Sequence, residues 1–431
     1  MAGDARALIA IAALIELLAG CSNEASVPRS ATTSPGSASS SPTGNGKFQP
    51  TDEDRAAIRK LLDRRAQALE KGDRKAFMAT VDPGNKVLMH QQGLVFDNLQ
   101  KLPVEQVGYD VDDASGWVPA KVKGNDPVFR PRVLEQVRLD IDTRSVTNVV
   151  ENTFVRRDGT WLLGAESVPG KYADDDAQWR PWGGAVPIAV ARTGRLIVVV
   201  DEKRADTAGD LAAEMTDYIG FVADALDVEP QYDVLVDATS VGDALSMSTL
   251  KDEQAAAVSR TVFSFGIEEG HGIAGARIVV NPEMTDRIVT DPEIMRHELT
   301  HYLTARRLAA APSWVVEGIA EWASTAPASL DDLRIDADAL KHTLGTHHRL
   351  PTTGVWGIDP TADYLIARAA VTRIVDDYGV EKVFEMGETY RRISGDDPDE
   401  KSDRVIRKVL GISKDELVRL AFADLAAMQT R

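Results

Sequence analysis

A single cysteine, Cys21, occurs in 431 residues. That excludes any intramolecular disulfide and any cysteine-built metal cluster. Histidine is also scarce, at 7 residues, so a regularly spaced pair carries information. Basic residues are outnumbered, with 49 Lys and Arg against 67 Asp and Glu and a formal net charge of −18. No basic field is available to displace phosphate counterions, so a nucleic-acid partner is not expected. The same deficit argues against broad adhesion to an anionic lipid surface. The apolar run at the start of the chain, residues 7–19, is too short to cross a bilayer. What remains is ordinary for folded protein: 43% hydrophobic and 27% charged residues, in a length that predicts two or three domains.

The short apolar run follows Arg6 and has the length of a signal-peptide core, ending in Leu18-Ala19-Gly20-Cys21. This ending resembles the bacterial lipobox, in which the cysteine takes a diacylglyceryl group and becomes the mature N-terminus. The resemblance implies a signal peptide over 1–20 and a lipid anchor on Cys21. It places the chain on the extracytoplasmic face of a cell membrane. Asp4 and Glu16 fit the pattern less well, and a plain secretory signal is the alternative; that the sole cysteine stands at this position favours the anchor. Residues 22–46 are rich in Ser, Thr, Pro, Gly and Ala without apolar periodicity, so 21–46 reads as a lipidated cysteine with a disordered tether. High Ala, Asp and Arg usage with few Lys points to a high-GC bacterium.

A first domain is expected over 48–170. Thr51 precedes an acidic turn, and Ile58, Leu61, Leu62, Ala66 and Leu69 share one helical face before Gly72. A short helix is expected near 73–81, then strands at 133–141, 147–156 and 160–166, the last two joined through Asp158-Gly159. Helices followed by an antiparallel sheet, with the run Ala68-Leu69-Glu70-Lys71-Gly72-Asp73, resemble the cone-shaped α+β fold of the nuclear-transport-factor type. Such a domain can serve a protein partner. No catalytic cluster is read here, and His90 stands alone.

Residues 171–187, with Asp174-Asp175-Asp176 and several Gly and Pro, read as a linker. Beyond it, 188–431 begins with α/β character: a buried strand at 196–200, a helix at 208–226 and strands at 232–236 and 276–280. From Asp291 onward nearly everything reads as helix, including segments at 363–378, 382–386 and 414–428. The expected class is α+β: a cone-like domain, then a small mixed sheet followed by a mostly helical lobe.

The chemistry concentrates in His297-Glu298-Leu299-Thr300-His301, an H-E-x-x-H pattern on a helix started by Asp291 and Pro292. A spacing of four stacks both imidazoles on one face, within reach of one ion, and leaves Glu298 one position along, where it can approach a water molecule. Catalytic zinc sites usually take three protein ligands and keep a fourth position open. Downstream runs Pro312-Ser313-Trp314-Val315-Val316-Glu317-Gly318-Ile319-Ala320-Glu321-Trp322. The two segments together resemble the gluzincin clan, the thermolysin-like and aminopeptidase-like zinc peptidases.

The resemblance implies one Zn2+ held by His297, His301 and Glu317, with Glu321 orienting an imidazole and Glu298 as general base. It implies a peptide or protein substrate and a tyrosine or histidine donor to the oxyanion. Tyr364 is the first choice, with His342, His347, His348 and the more remote His271 as alternatives. It also implies that the strand before the zinc helix, Ala276, Arg277, Ile278, Val279 and Val280, is the edge that pairs with extended substrate. Aminopeptidase members carry Gly-x-Met-Glu-Asn there. This chain has Gly275-Ala276-Arg277-Ile278-Val279-Val280-Asn281 instead, which leans toward an endopeptidase. Two rival readings stay open: a lipoprotein adaptor with a structural or latent metal site, and a hydrolase of non-peptide amides. Glu298 is present, and no cysteine after Cys21 can close a structural site; both points favour the enzyme.

Overall fold

The computed structural model describes residues 50–113, 117–119, 128–167, 180–183, 186–240, 256–264, 272–281, 288, 291–328, 330, 335–351, 357–395 and 397–429. Cys21, the tether and His271 lie outside the described residues. Among those described, no helix is long and apolar enough to cross a membrane.

The described residues open with helix α1 (Asp52–Glu70), whose N-terminus is closed by a reciprocal box: Thr51 Oγ1 accepts from Asp54 N–H, and the Asp54 carboxylate accepts from Thr51 N–H. The short α2 (Arg74–Met78) and α3 (Lys86–Leu99) follow, capped by Asp73 and Asn85. Strands β1 (Val104–Val111), β2 (Trp117–Pro119), β3 (Val128–Leu139), β4 (Val146–Arg157) and β5 (Thr160–Ser167) form an antiparallel sheet. Its order is β1-β3-β4-β5, with β2 on β3. Positive φ at both Asp158 and Gly159 gives the two-residue turn that the Asp158-Gly159 signal predicts between β4 and β5. Ile58, Leu61 and Leu62 of α1 pack on Phe129, Val133, Val150, Phe154 and Trp161 of the sheet. Each such side chain, fully buried, contributes about 1.5–3 kcal/mol.

The second sheet has the order β6-β7-β8-β10-β9, built from β6 (Ile188–Thr193), β7 (Leu196–Asp201), β8 (Val234–Ala238), β9 (Ala257–Ser264) and β10 (Gly272–Val280). β7, β8 and β10 run parallel, and β6 and β9 are antiparallel flanks. The Leu-Ile-Val-Val-Val run of β7 is fully buried because both of its faces are covered. Leu196, Val198 and Val200 face the core under helix α4 (Ala205–Leu226), while Ile197 and Val199 join a second core with Val95, Phe96 and Leu99 of α3.

The first domain is therefore docked on the back of the second sheet. Of the segment expected as a linker, the described part is packed into this junction: Trp182 is 1% exposed, and Val186 O accepts from the Asn98 side-chain amide at 2.9 Å. Arg180 forms a buried ion-pair cluster with Glu135 and Glu166 inside the first domain.

One expectation fails. Strand 276–280 is not an edge: β10 has β8 on one side and β9 on the other, so among the described strands the outer one on that side is β9. The reason lies in residues 257–264, whose mix of Val, Phe, Ser, Arg and Thr carries only a partial alternation and was not read as a strand. Arg277, placed in the expected substrate edge, is instead 1% exposed and paired bidentately with Asp142 of the first domain at 2.8 Å through both guanidinium nitrogens. Thr143 N–H also donates to Ala274 O. Removing one member of so buried a pair typically costs about 3–5 kcal/mol, so Arg277 ties the two domains together.

Among the described residues, seven helices follow: α5 (Pro292–Leu308), α6 (Ser313–Thr325), α7 (Ala337–Thr346), α8 (Pro360–Tyr378), α9 (Glu381–Arg392), α10 (Pro398–Leu410) and α11 (Lys414–Gln429). α5 packs on α4 and β9, α6 on α5 and α8, and α7 on α8 and α11. The class is α+β, with small sheets followed by a helical lobe. α3, β1, β2, β6, β9, α7 and α10 are elements to which no explicit sequence expectation attaches.

Candidate metal centre

Helix α5 begins with Pro at its first position, where the missing N–H is no loss. Its Ile294, Met295 and Leu299 are buried in the main core. That packing turns His297 and His301 to one side. Helix α6 brings Glu317 to meet them. Gly318 makes this approach feasible: a Cβ there would lie 2.5 Å from Ala367 O and 2.6 Å from Val371 Cγ2 of α8. The glycine beside the carboxylate thus lets α6 and α8 touch backbone to backbone.

The three donor atoms form a small triangle. His297 Nε2 and His301 Nε2 are 3.0 Å apart, and each lies 3.3 Å from Glu317 Oε2. Ligand bonds of 2.0–2.2 Å arranged tetrahedrally place neighbouring ligands about 3.3–3.5 Å apart, so these atoms stand close to the spacing a single ion needs. Among the described residues no hydrogen bond of good geometry reaches Glu317 Oε2, although Glu317 is 1% exposed. A buried carboxylate oxygen left in that state calls for a cation. The residues fit a metal ion, and the buried His297–His301–Glu317 group can bind one.

Electrostatics agree. Burial by itself raises the pKa of Glu317, but the two imidazoles outweigh it and hold the carboxyl down at about 2. Burial tends to lower the pKa of His297, yet Glu317 and Glu321 push it up to about 10, so without a metal this ring holds a proton in the ion's place. Asp237 on β8 provides the contrast: equally buried, it is pushed up to about 7 by desolvation, which its hydrogen bonds from Thr239 only partly offset.

Three further groups surround the triangle. Glu321, one turn beyond Glu317, places Oε1 3.1 Å from His297 Nδ1, an ion-pair contact off the line of a good hydrogen bond. Such an acceptor orients an imidazole. Arg368 of α8 lies 3.5 Å from Glu321 Oε2 and holds that carboxylate from behind.

Glu298 is not one of the three triangle donors; its carboxylate accepts from Ser259 N–H of β9 at 2.6 Å. It is 2% exposed, and burial raises its pKa. Tyr364, near the start of α8, sets its ring 6.4 Å from that of His297.

The structure thus gathers His297, Glu298, His301, Glu317, Glu321 and Tyr364 in one place. It does not gather the alternatives to Tyr364. His342 and His347 contact Asp359, and His348 lies against Phe422. His90 is exposed on α3. Ser259 and Arg368 were not anticipated. Ser259 enters through its backbone, which no side-chain motif reports, while a basic residue one turn beyond Tyr364 on a helix facing Glu321 could have been suspected.

A scan against protein-family models finds no match, and a search of curated proteins finds none either.

Proposed function

We propose that this chain is a zinc-dependent hydrolase of peptide bonds, an endopeptidase held at the outer face of a bacterial membrane by a lipid on Cys21. The observation that carries the reading is the pairing of a buried His297–His301–Glu317 triangle with a separate buried carboxylate, Glu298. Two nitrogens and one oxygen suit zinc, with a coordination position left over. When bound, the ion supplies Lewis acidity, acidifying water and polarising a carbonyl group.

Glu298 is the proton carrier. Its burial favours the protonated form more than an exposed glutamate would, so it can accept a proton from the attacking water and deliver it to the leaving amine. Ser259 N–H fixes its orientation. Tyr364 donates to the oxyanion from the start of α8.

Substrate binds extended along β9. Ser259 directs its N–H away from β10, toward Glu298, so by the alternation of an antiparallel ladder Ser259 O and the main-chain groups of Thr261 turn to the outer side of β9. An added strand of substrate pairs there through its backbone, which demands little of its sequence.

The test is hydrolysis of a mixed peptide pool by the full chain and by Glu298→Gln, with zinc content measured on both. Equal zinc, and cleavage at least about 100-fold slower in the variant, supports the reading. Equal zinc with no cleavage by either protein supports the adaptor reading instead, and cleavage unaffected by the substitution removes Glu298 from the mechanism.

A further inference from the structure

A second cluster of the same donor types lies at the joint between α7 and α8. His342, in the second turn of α7, and His347, which follows that helix, both direct Nε2 at Asp359 Oδ2, at 2.7 and 2.9 Å. Their rings stand 6.2 Å apart and steeply inclined. Asp359 is the residue before α8, and its other oxygen, Oδ1, accepts from Ala362 N–H to cap that helix. The cap fixes the carboxylate, so Oδ2 is presented to the two imidazoles by the helix start rather than by a free side chain. All three donor atoms lie within 4.8 Å of one another.

We propose that His342, His347 and Asp359 form a second site for a borderline divalent cation such as Zn2+ or Ni2+. Two imidazole nitrogens and one carboxylate oxygen favour such ions over Ca2+ or Mg2+, which prefer oxygen throughout. The site sits at the surface, with the His342 side chain 54% exposed, so water completes the coordination shell. Ligands now at hydrogen-bond distance must spread by about half an ångström to take an ion, and surface side chains can do so. Binding there is therefore weaker than at the buried triangle. The general negative charge of the chain, −18, favours cation capture.

The location gives the site a consequence. The ion clasps the end of α7 to the start of α8, five residues before Tyr364 and nine before Arg368. Both of those residues face the buried cluster. Loading it stiffens the helix that forms one wall of the buried centre, without touching any residue of the triangle.

The proposal stands independently of the hydrolase reading, and metal binding alone tests it. Zn2+, then Ni2+, is titrated calorimetrically into metal-stripped full-length chain, alongside His342→Gln/His347→Gln, Asp359→Asn and Glu317→Gln. The unmodified chain is expected to bind two equivalents of Zn2+, one tight and one weaker. The double histidine variant and Asp359→Asn lose the weaker equivalent by more than about 100-fold while keeping the tight one. Glu317→Gln shows the reverse. Asn caps a helix as well as Asp does, so Asp359→Asn separates loss of a ligand from loss of the fold, with far-UV circular dichroism as the check. One equivalent in the unmodified chain, or a weaker equivalent that survives both surface variants, overturns the proposal.

Discussion

The His297–His301–Glu317 cluster and the His342–His347–Asp359 cluster offer the same donors, two imidazole nitrogens and one carboxylate oxygen, yet they differ in burial and in spacing. In the buried cluster the donors stand 3.0–3.3 Å apart, and among the described residues no hydrogen bond of good geometry reaches Glu317 Oε2. In the surface cluster the contacts are 2.7 and 2.9 Å, ordinary hydrogen-bond lengths. The first arrangement is held apart by helix packing, at the spacing of ligands around one ion. The second can relax onto itself and onto water. Equal donor sets therefore do not imply equal affinity: the packing that prevents relaxation sets the difference, and around Glu317 that packing is made by α5, α6 and α8 meeting at Gly318.

The largest expected effect breaks the comparison on its buried side. Glu317→Gln should weaken the tight zinc equivalent by on the order of 1,000-fold or more in calorimetric titration, because it removes the only anionic ligand of the triangle. The weaker equivalent should be unchanged. Next is Glu321→Gln, which leaves the triangle intact but removes the charged acceptor facing His297 Nδ1. A loss of about 10–100-fold in tight-site affinity is expected, with no change at Asp359.

Gly318→Ala sharpens the role of packing. The added methyl must push α8 away from α6, destabilising the fold by roughly 1–3 kcal/mol in denaturant unfolding and loosening only the buried site.

The smallest effect concerns a buried carboxylate with no imidazole beside it. Asp237 has a folded-state pKa near 7, above its ordinary value. The folded chain thus keeps a proton that the unfolded chain releases, and this group's contribution to stability falls as pH rises from about 4 through 7. Asp237→Asn should raise stability at pH 8 by on the order of 1–2 kcal/mol, a gain that fades at pH 4. A gain that did not depend on pH would show that burial is not the cause.

Sequence reasoning reached the buried cluster readily because its information is local. Two histidines four apart and a carboxylate in a Trp-x-x-Glu-Gly-x-Ala-Glu run each sit on a helix whose own periodicity turns them to one side. The surface cluster was not legible as a cluster. Taken singly, His342 and His347 read only as donors to the first site, and Asp359 is distant from both in sequence. Their meeting depends on how α7 and α8 are joined. The edge strand was misplaced for a similar reason. Whether β10 is an edge depends on a partner elsewhere in the chain, and β9, broken by Ser259, Arg260 and Thr261, gives a faint strand signal. β7 teaches the converse. Its uninterrupted Leu-Ile-Val-Val-Val run correctly marks a strand buried on both faces, but the identity of the second cover, the first domain, is written in residues such as Trp182 and Asn98 that no period reveals.

The most direct test of the central claim is to strip the metal from the full chain and return Zn2+ stepwise while following hydrolysis of a peptide pool. Activity is predicted to be absent at the start and to rise in proportion to added zinc. It should stop rising at one equivalent per chain, even though binding continues to a second. Hydrolysis that persists in the stripped chain at its full rate would contradict the assignment of His297, His301 and Glu317 as the catalytic metal site.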